Sequence, residues 1–275
     1  MWYILGLGVT FKQSHMNENL RDDIWEERKM SQYSLDTFAY ERGNIFDSPI
    51  DTLIENLKAK FNHALKEYNK LEGLYNKDRS MYYELEEEAN LRGESVQMQM
   101  LNYFEEARYL ENELFSLFEM KIIYAFKHLE INIKQLLTSA YKYDSINRQY
   151  KWDSIVQFLN SKEINPKELN FYEEVNQLRY LNNSLKHSDR VIDQSLKNIN
   201  EFKDKISFSY GELELFYNRI KQAPDKFLTS LTSQVFKDLY TFSEDRILGI
   251  AKSFGLRMEK NEALQFAEEL KKLYK

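Results

Sequence analysis

The chain has 275 residues, with 38 Lys and Arg against 44 Asp and Glu, a net charge of −6 and no cysteine. The absence of cysteine excludes disulfides, thiolate metal sites and cysteine nucleophiles. The acidic balance, with a pI near 5.5, argues against a dedicated duplex-DNA binder, whose affinity comes from neutralising phosphates.

Only 8 Gly and 3 Pro punctuate the sequence, too few for the turns of a many-stranded β protein, so an all-α fold is expected. Residues 1–47 read as a short irregular or β-like N-terminal arm: the run Trp2-Tyr3-Ile4-Leu5-Gly6-Leu7-Gly8-Val9 precedes a mixed-charge polar stretch. Gly6 and Gly8 lack the third glycine of a dinucleotide loop, and no Gly-Lys-Ser/Thr follows, so a turn is expected there and not a phosphate cradle. The apolar opening Met1 to Phe11 is too short to span a bilayer and has no basic n-region, and no segment reaches about 18 apolar residues. A soluble, cytoplasmic protein without a membrane partner is expected.

Ser48-Pro49-Ile50-Asp51 combines a serine cap, a proline in the first turn and an acid three residues after the cap. Apolar residues at three- and four-residue spacing from Ile50 to Leu71 then predict a helix over 50–75. A second amphipathic stretch runs from Asp78 to Leu91 and stops at Gly93. Its acids Glu84, Glu86, Glu87 and Glu88 read as a solvated face, and no metal site is expected. From 94 to 143 there is neither Gly nor Pro, which predicts one long helix or two with a kink. Its apolar stripe broadens between Leu114 and Phe126, implying burial by more than one neighbour.

Beyond a polar connection, a short helix is expected at 151–161. Asn165-Pro166-Lys167-Glu168 repeats the start signal and opens a helix over 166–187, with Leu169, Tyr172, Val175, Leu178, Leu181 and Leu185 turned inward. Further helices are expected at 191–205, 212–222, 224–240, 243–254 and 260–274, with 206–211 extended. The organisation expected is an arm (1–47), a bundle core of long antiparallel helices (48–200) and a C-terminal helical extension (201–275).

Four histidines, His15, His63, His128 and His187, leave few addresses for acid–base chemistry. No His-x-x-x-His, Glu-x-x-His or Gly-x-Ser-x-Gly occurs, so neither a carboxylate di-iron site nor a nucleophile elbow is expected. His63 and His128 sit in amphipathic stretches and read as structural. His187 stands in a different setting, Leu178-Arg179-Tyr180-Leu181-Asn182-Asn183-Ser184-Leu185-Lys186-His187-Ser188. Helical spacing puts Asn183 and Arg179 on its face, and Lys186 and Arg190 add positive charge, so an anion is welcome there. The plainer reading is a helix end whose cations complement the dipole.

That stretch resembles the signature helix of the HEPN superfamily, helical-bundle proteins that include toxin and antiviral ribonucleases. The family motif is an arginine, often followed by Asn, Asp or His, with four to six residues between it and a histidine. The long helix around Glu119-Met120-Lys121-Ile122-Ile123-Tyr124-Ala125-Phe126 resembles the preceding bundle helix. Here Asn182 takes the arginine place, Asn183 the polar follower, and Arg179 lies seven intervening residues from His187.

The resemblance implies a HEPN-like core and a role in bacterial defence or a toxin–antitoxin pair. It implies RNA binding or metal-independent endoribonuclease activity without a cofactor. His187 would act as acid or base, with Asn182, Asn183 and Arg179 completing the catalytic set, and Lys186 and Arg190 would contact RNA. It also implies a homodimer or a cognate protein partner. An asparagine in the arginine place supplies hydrogen bonds without charge, which points toward binding. The alternative is a non-catalytic helical scaffold.

Overall fold

The computed structural model describes residues 19–39, 47–142, 146, 148, 151–188 and 190–272. About 82% of them are helical and none lies in a strand, so the described chain is all-α. It divides into two compact units, Ala39–Leu231, and Met1–Phe38 with Thr232–Lys275.

In chain order α1 (Asn19–Phe38) belongs to the second of these units, and the first holds α2 (Asp47–Lys77), α3 (Arg79–Leu91), α4 (Val96–Tyr141), α5 (Trp152–Ser161), α6 (Tyr172–His187) and α7 (Tyr210–Ile220). The first half of α8 (Ala223–Tyr240) also belongs to this unit. α4 is one continuous helix of 46 residues. Asp51 pairs with Lys121 near one end, and Tyr68 meets Phe104 at 5.4 Å farther along. As α2 advances α4 therefore recedes, and the two are antiparallel.

Capping chemistry sets the boundaries of these helices. Asp78 caps α3 by accepting from Met81 N at 3.2 Å, and Gly93 leaves it at φ +74, which a side chain would resist. Glu86 is no solvated acid. Its carboxylate accepts from Val96 N at 2.7 Å, Gln97 N at 3.2 Å and Ser95 Oγ at 2.9 Å, and so closes the start of α4.

The core forms where α4 has most neighbours. Leu114, Phe118, Ile122, Ala125 and Phe126 of α4 pack with Leu178, Leu181 and Leu185 of α6 and with Leu213, Phe216 and Tyr217 of α7. Ile54 of α2 joins them. Two charged ties cross this region: Lys58 of α2 bonds Glu214 of α7, and the buried Lys121 bonds Asp51 and lies 4.4 Å from the centre of the Tyr217 ring. Lys58 is held above its ordinary value: burial acts to lower it, but the Glu214 bond and the surrounding acids outweigh that.

Three expectations are corrected. Asn19–Phe38 is a helix, α1, where an irregular arm was expected. Among the described side chains of α1, Leu35 and Phe38 are the buried ones, and a local contact of Lys29 Nζ over the Trp25 ring at 3.3 Å supports it, so its apolar stripe is too narrow to read. The remainder of the expected arm, the β-like run and Gly6–Gly8 included, lies outside the described residues.

The start signal at Asn165 opens only a 3-10 turn, Pro166–Glu168. The chain then breaks at Phe171, φ 64, before α6 begins. Residues 191–205 form no α-helix. Ile192, Leu196, Ile199 and Phe202 are buried at helical spacing, yet Asp193, Asn198, Asn200 and Asp204 favour turns. The segment is a 3-10 turn, Gln194–Leu196, with irregular chain tied by Ile192 N to Ile206 O at 3.0 Å and Phe208 N to Arg190 O at 2.8 Å. The core continues past it: Phe202, Phe208 and Ile220 belong to the same cluster as Leu178.

The other unit combines α1 with the second half of α8, α9 (Glu244–Gly255) and α10 (Lys260–Lys272). Neither α9 nor α10 buries a residue, and they meet through Phe254 and Phe266, stacked at 5.1 Å. Among the described residues no helix is long and apolar enough to cross a membrane.

Candidate functional site

α6 has the charge order of a well-made helix, with Glu173 and Glu174 in its first turn and Lys186 and His187 in its last. One face carries Val175, Leu178, Leu181 and Leu185 into the core. The adjoining face carries Arg179, Asn182, Asn183 and Lys186, and these four line one cleft of about 270 Å³. Lys151, Trp152 and Asp153 at the start of α5 form another wall, and Phe126 and Glu130 of α4 complete it. Spacings of three and four along α6 produce this stripe, and the loop of 3-10 turn and αL residue before α6 lets α5 lie across it.

The cleft is polar and cationic. Lys151, Arg179 and Lys186 face Glu130 and Asp153, and Glu130 is already engaged by Lys134 at 2.5 Å. Arg179 is oriented: Nε and Nη2 donate to Asn176 Oδ1 at 3.2 and 2.9 Å, and its guanidinium lies 4.4 Å from the Tyr180 ring centre. Burial pushes the Tyr172 phenol up, with the Arg179 charge opposing it. Trp152 packs on Phe126 with ring centres 5.9 Å apart.

Asn182 is the unusual member. It is 1% exposed, its Nδ2 donates to Asn183 Oδ1 at 3.0 Å, and its Oδ1 has no partner. Trp152 Nε1 is likewise buried without a partner. Buried polar atoms are rarely left so, because each forfeits about 1–3 kcal/mol of lost hydration.

The sequence-derived residues are thus divided. Arg179, Asn182, Asn183 and Lys186 come together. His187 is exposed at the last position of α6, outside the cleft lining. Arg190 is turned to α4, where Nη2 donates to Asn112 Oδ1 at 2.9 Å and the guanidinium lies 4.0 Å from the Phe115 ring centre. Nearby, burial pushes the Glu119 carboxyl up while Arg190 pulls it back. His63 is exposed and edge-on to Tyr103 at 6.3 Å, and His128 lies 3.2 Å from Asn132 Nδ2.

Lys151 and Trp152 carry no motif and were missed by sequence reasoning. The available signal was a helix start at 151 without a capping side chain: Lys151 precedes α5 in extended conformation and makes no cap bond. No group of three or more metal-ligating side chains occurs among the described residues. No protein-family model matches the chain, and neither does any curated protein or solved structure.

Proposed function

We propose that the protein binds single-stranded RNA through the α5–α6 cleft, as a HEPN-like helical protein of bacterial defence or toxin–antitoxin type. The observation that carries this reading is that Arg179, Asn182, Asn183 and Lys186 of the motif-like helix share one cleft with Lys151 and Trp152 of α5. Lysine and arginine beside an aromatic ring are what a strand needs: charge for the phosphate and an apolar flank for the base. In this reading Lys151, Arg179 and Lys186 supply the charge for phosphates, and Asn182, in the arginine place of the motif it resembles, supplies hydrogen bonding without charge.

The test is titration of a fluorescently labelled oligouridylate in metal-free buffer, by anisotropy, with wild type and Arg179→Ala. The reading expects the variant to bind several-fold more weakly and with a shallower salt dependence, having lost one phosphate contact. Gel analysis of the same mixtures tests endoribonuclease activity: cleavage that His187→Ala abolishes assigns the histidine a catalytic role, and intact RNA leaves a binding protein. Light scattering on the same samples tests the two-fold assembly that the resemblance implies.

A second reading, a helical scaffold, has its own support. Met98, Leu101 and Phe104 of α4 are about half exposed and, with Tyr68 of α2, line an apolar groove of about 380 Å³. A protein that retains no RNA, and whose assembly changes when Leu101 is made charged, fits this reading and not the first.

A further inference from the structure

The start of α5 lines the cleft, and so do Asn182 and Trp152, which hold two of the three buried side-chain atoms without a partner among the described residues; the third, Thr138 Oγ1, lies outside the cleft lining. Lys151 makes no side-chain cap bond, and Ser154 N–H is met by Lys151 O at 3.1 Å, so the start of α5 carries the partial positive charge of a helix N-terminus beside the cleft residues Lys151, Trp152 and Asp153. Lys186 enters from α6. That is a cradle for one phosphate, with Asp153 as the only acid of that helix turn set against it.

The second observation is independent of the helix end. Asn182 Oδ1 lacks a donor and Trp152 Nε1–H lacks an acceptor, and both residues line the cleft. A hydroxyl is donor and acceptor at once, so it is the simple neutral group that completes both kinds of atom. Both atoms are covered at the cleft wall, so the inference requires these side chains to turn toward the bound ligand.

We infer that the α5–α6 cleft holds a single phosphorylated ribonucleoside, its phosphate at the start of α5 between Lys151 and Lys186 and its ribose 2′-hydroxyl read by Asn182 and Trp152. The inference rests on the proposed reading of this cleft as the RNA contact, and deepens it by assigning the discrimination between RNA and DNA to Asn182. In a strand the 3′-oxygen is esterified, which leaves the 2′-hydroxyl as the free donor of the sugar. The cleft, at about 270 Å³, is near the lower end of the size of small-ligand sites, enough for one nucleotide and no more. Any further nucleotides of a strand would lie outside it.

The experiment uses the full chain. Uridine 5′-monophosphate, its 2′-deoxy counterpart and inorganic phosphate are titrated while the tryptophan indole N–H signals are followed by NMR, with Trp152 assigned by Trp152→Phe. The expected result is a shift of the Trp152 indole and at least about tenfold tighter binding of the ribonucleotide than of the deoxynucleotide. Lys151→Ala weakens both nucleotides alike, and Asn182→Leu removes the difference between them.

Equal binding of the two nucleotides by wild type overturns the inference, and this comparison needs no variant to fold. So does a phosphate effect as large as that of the nucleotide, or nucleotide binding that leaves the Trp152 indole unmoved. An oligouridylate arm separates the two proposals. Strand binding that depends on Arg179, with no mononucleotide effect, overturns this inference and keeps the RNA reading. A Trp152 shift by the ribonucleotide, with no strand binding, overturns the RNA reading and makes the ligand a free nucleotide.

Discussion

The two ends of α4 are built from the same kind of sequence and live in different surroundings. From Val96 to Leu110 the helix has α2 and α3 beside it, and only Val96, Ala107 and Leu110 are buried. From Leu114 to Leu137 it is packed by α2, α6 and α7, and buried residues recur on several of its faces. The first end leaves an apolar groove at Met98, Leu101 and Phe104, and the second leaves a polar cleft with two unpartnered buried atoms. Apolar exposure in a thinly packed region follows from a shortage of neighbours. A polar orphan in a densely packed region is different, because the chain had apolar partners to offer and kept an asparagine there.

The largest expected effect sharpens that contrast within one residue type. Leu114 is fully buried and Leu101 is 49% exposed, on the same helix. Leu114→Ala is expected to cost about 2–5 kcal/mol and Leu101→Ala no more than about 0.5 kcal/mol in urea unfolding. Similar costs at the two sites would remove the distinction between the ends. Next in size is Asp51→Ala, which takes from the buried Lys121 the carboxylate that α2 sets against it. About 1–2 kcal/mol is expected, less than for a wholly buried pair because Asp51 is half exposed.

Asn182→Leu has the opposite sign. Replacing the orphaned amide by an apolar group of similar size is expected to leave stability unchanged or raise it by about 1 kcal/mol, while nucleotide binding falls. A loss of stability would show that the asparagine serves the fold and not a ligand.

The smallest effect is in acid. Burial acts to raise Glu201, but the Arg219 bond at 2.7 Å and its own backbone N–H hold it below its ordinary value of 4.5. Its contribution is present above 4.5 and is lost as pH falls through the lowered folded value. Arg219→Ala is therefore expected to flatten the fall of stability below pH 4.5, as read from melting temperatures across an acid series.

These contrasts also mark where the sequence was legible. The run from 94 to 143 without Gly or Pro became α4 because nothing in it interrupts helical hydrogen bonding, and its broadening stripe after Leu114 forecast the extra neighbours. α7 begins at Tyr210 behind a Ser209–Glu212 capping box, two residues before the start expected at 212, so Tyr210 and Gly211 are helical where extended chain was expected. The segment 191–205 was misread because buried residues at helical spacing are also what an irregular chain pressed on a core presents. In the cleft, Arg179, Asn182, Asn183 and Lys186 were visible as one face of one helix. Lys151 and Trp152 were not, because their place beside that face depends on a connection whose path no local pattern records.

The central claim is that the α5–α6 cleft, and not the apolar end of α4, is where RNA is held. Its most direct test is anisotropy titration of one labelled oligouridylate against three proteins: wild type, the double variant Lys151→Ala/Lys186→Ala, and Leu101→Glu. The account predicts that the double variant loses at least about tenfold in affinity with a shallower salt dependence, while Leu101→Glu binds as wild type does. Binding that survives in the double variant and falls with Leu101→Glu, or no binding by the wild type, would contradict it.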